Sequence, residues 1–110
     1  MTDGLLRGIT AAASAERQPR EDRAAHVAQI IRDRRGYKWV GIFDVDENEE
    51  GVLLGEAGSG PTGDHLSIPI LGPETGALMG TLDVESPKEL SHDDEVFLED
   101  CSAALLALYE

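Results

Sequence analysis

Leu78-Met79-Gly80-Thr81-Leu82-Asp83-Val84-Glu85-Ser86-Pro87, running on to Leu90-Ser91-His92-Asp93-Asp94-Glu95-Val96-Phe97-Leu98, reads as a strand, an abrupt exit and a capped helix. Strand side chains alternate, so Leu78, Gly80, Leu82 and Val84 share one face, while Met79, Thr81, Asp83 and Glu85 share the other. The first face is apolar and suits a core; the second could carry polar chemistry. Pro87 has no N–H to give a sheet ladder, which stops the strand. Ser91 then offers an oxygen to the free N–H groups of the next turn, and Asp94 completes a Ser-x-x-acid box.

Working upstream, Gly72-Pro73-Glu74-Thr75-Gly76 is a turn and 66–71 a strand. Residues 58–64 form a glycine-rich loop, 52–57 a strand, and 46–51 a solvated acidic turn. Residues 37–45 are rich in aromatic and β-branched side chains and read as the first strand. Before it, Ala24, Val27, Ala28 and Ile31 recur at helical spacing after Pro19, which suits a first-turn position, and Gly36 ends that helix. Leu5, Leu6, Ile9, Ala12 and Ala13 mark an earlier amphipathic helix. The connections are short, which favours antiparallel pairing. The expected order is helix, helix, four strands and a final helix over 92–109, with 1–18 a helical arm and 19–110 the domain.

Composition bounds the function. A chain of 110 residues has room for one core, which buries about two-thirds of the surface its unfolded form exposes. No apolar run approaches the roughly 20 residues of a membrane span, and the start lacks a secretory profile, so a cytoplasmic protein with no membrane partner is expected. The net charge of −13 is uneven. Residues 1–38 hold eight basic and five acidic side chains, net +3, whereas 39–110 hold one basic and seventeen acidic, net −16. So acidic a body repels phosphate backbones and disfavours nucleic acid. The cluster Arg32, Arg34 and Arg35 fits the negative end of a helix dipole.

Several motifs come apart on inspection. Gly58-Ser59-Gly60-Pro61-Thr62-Gly63 spells a dinucleotide pattern but lies between two strands instead of opening a helix. Asp44-x-Asp46-x-Asn48 begins like a calcium loop, yet Glu49 and Gly55 stand where glycine and glutamate are needed. His92 to Glu95 is explained by helix capping, and His26 lies away from its helix's apolar stripe. Cys101 is the only cysteine; flanked by apolar neighbours, it reads as a core thiol. No catalytic set, metal site or cofactor is expected.

The pattern Gly80-x-Leu82-Asp83-x-x-Ser86 before an acid-capped last helix resembles the C-terminal end of GAF domains. Tyr37 to Phe43 looks like that family's first strand, Val52 to Gly55 its second, and Leu66 to Ile70 the strand entering its ligand pocket. The motifs W-x-G-x-aromatic, L-x-G, I-P-I and G-x-L-D-V-E-S-P are most similar to the free methionine-R-sulfoxide reductases, over roughly residues 20–110. The resemblance implies an α+β fold, an antiparallel sheet with N- and C-terminal helices packed on one face. It also implies a dimer seam along those helices, for which the apolar girth of 92–109 is the independent signal. The reductase branch carries its redox cysteines and lid on a long insertion between the second and third strands. Here only a few glycine-rich residues stand in that place.

A candidate site remains on the sheet face opposite the helices. If the alternating sides coincide, Trp39, Phe43, His65, Ser67, Met79, Thr81, Asp83 and Glu85 form a shallow, lidless aromatic tray with acidic ends, which the sequence leaves either open or covered. In the reductase branch the equivalents of Trp39, Phe43 and Glu85 line the substrate pocket, while a carboxylate of that branch falls at His65. The plainer alternative is that Trp39 and Phe43 only fill the second face of the sheet. The reading adopted is a non-enzymatic binding or dimerisation module and a homodimer through the terminal helices. Beside it stand a reductase-like enzyme and a sensor that uses the tray for a weakly held small molecule.

Overall fold

The computed structural model describes residues 2–15, 17–46, 48, 50–61 and 65–109, with the side chains of Thr2 and Asp3 excepted. Glu47 and Glu49 of the acidic turn, and Thr62, Gly63 and Asp64 of the glycine loop, lie outside the described residues. Helices α1 (Thr2–Ala13) and α2 (Arg20–Arg35) precede strands β1 (Trp39–Val45), β2 (Gly51–Gly58), β3 (Leu66–Leu71) and β4 (Leu78–Glu85), and α3 (His92–Ala104) follows. The strands form one antiparallel sheet in the order β2-β1-β4-β3. The expected α+β architecture and element order both hold.

The helices cover the face that carries Val40, Ile42, Ile68, Ile70, Leu82 and Val84, all buried with Ala24, Val27, Ala28, Ile31, Phe97, Leu98 and Cys101. Removing such side chains from water stabilises by about 1.5–3 kcal/mol each, so this layer dominates the fold. α2 approaches β2 closely: a Cβ on Gly55 would strike the backbone of Ala24 and Ala25. The apolar stripe of α1 is used within the chain, with Ile9, Ala12 and Ala13 buried in the same core. Much of the apolar girth of α3 is met in the same way.

Local signals act as their chemistry requires. Gly36 takes a φ of 68° and ends α2 by donating from its N–H to the carbonyl of Arg32 at 2.8 Å. Pro19 stands one residue earlier than expected, as the N-cap of α2. Ser91 accepts from the N–H of Asp94 at 3.2 Å, and the Asp94 carboxylate accepts from the N–H of Ser91 at 2.9 Å. Asp94 also accepts from the hydroxyl of Tyr37 at 2.9 Å and lies 3.5 Å from Arg35. These contacts hold its carboxyl below the usual value of 3.8, the Ser91 N–H contributing most.

The last element differs from expectation. Residues 92–109 do not form one helix; α3 ends at Ala104 and a 3-10 turn, Leu106–Tyr109, follows. Tertiary bonds override the helical propensity of this leucine- and alanine-rich end. The Tyr109 hydroxyl donates to the carbonyl of Phe43 at 2.7 Å, and Arg20 Nε donates to the carbonyl of Leu108 at 2.7 Å. Arg20 also reaches Asp44 at 3.0 Å and stacks over the Tyr109 ring. A Cβ on Gly80 would strike both the Phe43 carbonyl and the Tyr109 hydroxyl, so glycine is what lets the turn sit on β4.

Candidate functional site

Register brings most of the candidate residues onto one face. Trp39 lies opposite Glu85; Gly41, Asp83 and Ser67 form the next row; Phe43, Thr81 and Pro69 form the third. Trp39 meets His65 edge-on with ring centroids 5.6 Å apart, and Phe43 at 6.3 Å. Its indole lies over Gly41, where any Cβ would strike the ring. The W-x-G spacing is therefore a seat for the indole. Met79 stands apart from this cluster, near the turn after β3, its sulfur 3.8 Å from where a Cβ of Gly72 would be.

The carboxylates are held from within. Asp83 accepts from the Ser67 hydroxyl at 2.8 Å and meets Nε2 of His65 at 3.1 Å. Glu85 lies 3.3 Å from Lys38 Nζ. Asp83 is 8% exposed and Glu85 7%, so these contacts offset the cost of taking two charges out of water. Alternation did not point to Lys38, which precedes β1 and reaches Glu85 with its long side chain.

The tray, which the sequence leaves open or covered, is covered at this end. Trp39 is only 1% exposed, because Gly60 sits over it: a Cβ there would lie 3.0 Å from the Trp39 Cβ and 3.4 Å from a Glu85 oxygen. Gly58 (φ 91°) and Gly60 (φ 158°) adopt conformations that L side chains disfavour. The short connection after β2 thus covers the Trp39 end of the face. Beneath it, Trp39 Nε1–H is buried with no acceptor among the described residues.

Cys101 is fully buried among the helices, on the other side of the sheet from Trp39. Burial, aided by Asp100, pushes its thiol up to about 12. Among the described residues no group of three or more His, Cys, Asp or Glu stands together as a metal site, and no helix is long and apolar enough to cross a membrane.

No protein-family model and no curated protein matches the chain. Solved structures do. The GAF domain of an Acinetobacter phosphoenolpyruvate-protein phosphotransferase aligns with a TM-score of 0.73 and 16% identity, over 96% of this chain and 90% of that one. The free methionine-R-sulfoxide reductase of Neisseria meningitidis, solved with its substrate, aligns at 0.75 and 17%, over 98% of this chain and 87% of that one.

The chain has a GAF-like fold. At these identities the likeness concerns the backbone fold alone.

Proposed function

We propose that the chain is a non-enzymatic GAF-type module for binding or dimerisation. The observation that carries this reading is the placement of its one thiol. A reductase of the kind named for the Neisseria neighbour needs an accessible thiolate, yet Cys101 is buried, stays protonated at neutral pH, and lies across the sheet from the Trp39 face. Incubation with free methionine-R-sulfoxide and a thiol reductant should yield no methionine above background, with Cys101→Ser behaving identically. Turnover that disappears in Cys101→Ser would overturn the reading.

A second reading, a small-molecule sensor on the Trp39 face, is favoured by the buried indole N–H without an acceptor, since such a group costs about 1–3 kcal/mol when unpaired. Titration with nucleotides, cyclic nucleotides and methionine sulfoxide, followed by Trp39 fluorescence, separates the two. The module reading expects no saturable change below millimolar concentration. A tight response lost in Glu85→Ala would favour the sensor.

Dimerisation through the terminal helices is supported by the half-exposed Val96 on α3 and the partly buried Leu5 and Leu6 on α1. A two-fold seam is the common closure for such surfaces. Light scattering on the purified chain should report twice the chain mass at micromolar concentration, and a monomer there would remove the dimer from the proposal.

A further inference from the structure

With the Trp39 end of its face covered, the sheet presents a cavity elsewhere, at the end where β3 begins and β4 leaves. Its volume is about 310 Å³, the low end of the range that holds small ligands. Its apolar lining is Leu66 and Val84, which pair across the two strands on the helix side of the sheet, with Leu90 on the connection to α3. Its polar lining is His65, Ser86, Lys88 and Glu89. The Nε2 of His65 is engaged by Asp83.

Lys88 is the informative member of this group. It is the single basic residue among residues 39–110, which hold seventeen acidic ones. Among the described residues it makes no ion pair. The Lys88 N–H is fixed by the Ser86 hydroxyl at 3.2 Å, which holds the backbone of the connection in place. An unpaired ammonium in a cavity lined in part by apolar side chains fits a ligand with a hydrocarbon body and an anionic head. The net charge of −13 and the neighbouring Glu89 limit that head to one negative charge, because each further charge adds repulsion.

We infer that the cavity between β3, β4 and the 86–90 connection binds small aliphatic monocarboxylates, with Lys88 holding the carboxylate and Leu66, Val84 and Leu90 holding the hydrocarbon. This site shares only His65 with the Trp39 face and does not depend on the reading of that face as module or sensor.

The test is a two-dimensional amide NMR titration of the whole chain with 3-methylbutanoate, run beside the neutral 3-methylbutanol. Saturable shifts are expected at 65–66, 84–86 and 88–90, larger than any shift of the Trp39 indole signal, with the alcohol weaker by about tenfold or more. Lys88→Gln should weaken the carboxylate by about tenfold, whereas Lys88→Arg should retain it. Both changes lie at an exposed position and should leave the amide spectrum otherwise intact. Equal binding of acid and alcohol, undiminished binding in Lys88→Gln, shifts centred on Trp39, or no saturation in the millimolar range would each overturn the inference.

Discussion

The two faces of the sheet are built from the same four strands but are buried by different physics and to different extents, the helix side along its length and the Trp39 face at one end, with Phe43 and Thr81 half-buried and Ser67 and Pro69 exposed. On the helix side, apolar residues of alternate register are covered by three helices, and the stabilisation is non-directional. On the opposite side, Trp39 and Glu85 lie against a glycine connection with Asp83 buried in the next row, and Asp83 and Glu85 depend on named partners in Ser67, His65 and Lys38. The first face tolerates changes of apolar shape but not intrusion of the helix backbone. The second tolerates little change in its polar pairings.

Substitutions on the two faces should separate these regimes. Gly55→Val, which drives a side chain into the α2 backbone, should cost about 3 kcal/mol or more in urea unfolding. Asp83→Ala, which strands Ser67 and His65, should cost about 2 kcal/mol, and more than Ile42→Val on the helix side at about 1 kcal/mol. If Ile42→Val proves costlier than Asp83→Ala, the contrast between directional and non-directional burial fails. Lys38→Gln should cost about 1 kcal/mol, because the pair is screened at its 43% exposed Lys38 end while the Glu85 carboxylate at the other end is buried.

The pH dependence sharpens the contrast, because the resolved shifts belong to the helix side. Asp94 is held below its usual value, so its contribution is present above pH 3.8 and lost as pH falls below it. Cys101 is raised from 9.0 to about 12, so its neutral form stabilises the fold below pH 9.0, and this is lost as pH rises toward 12. Burial also raises the phenols of Tyr37 and Tyr109, whose contributions fade above pH 10.0. The urea midpoint should therefore be flat near neutrality and fall at both extremes. Asp94→Asn should reduce the acid slope and Cys101→Ala the alkaline one.

Much of the helix side was legible in the sequence. Alternation assigned both faces of β4 from Gly80 to Glu85 but not at its start, where the irregularity between Ile70 and Leu71 leaves Leu78 exposed and packs Met79 against the helix-side core. Gly36 and Ser91 marked helix ends, and Cys101 read as a core thiol from its apolar neighbours. Local chemistry sufficed there because each signal acts within a few residues. The break at Leu105 was not legible, since Arg20 and Phe43, which fix the last turn, are far away in sequence. The loop at 58–61 was readable as a loop, but its position over Trp39 was not. Lys38 escaped because alternation does not describe a long side chain reaching round a strand end. The cavity beside Lys88 arises only when two strand ends and a connection meet.

Closure of the Trp39 face is the central claim, and acrylamide quenching of the only tryptophan tests it most directly. With Trp39 1% exposed, the native protein should emit at short wavelength and be quenched several-fold more weakly than free tryptophan, with full quenching restored in urea. Native-state quenching as efficient as that of free tryptophan would show the face to be open and contradict the account.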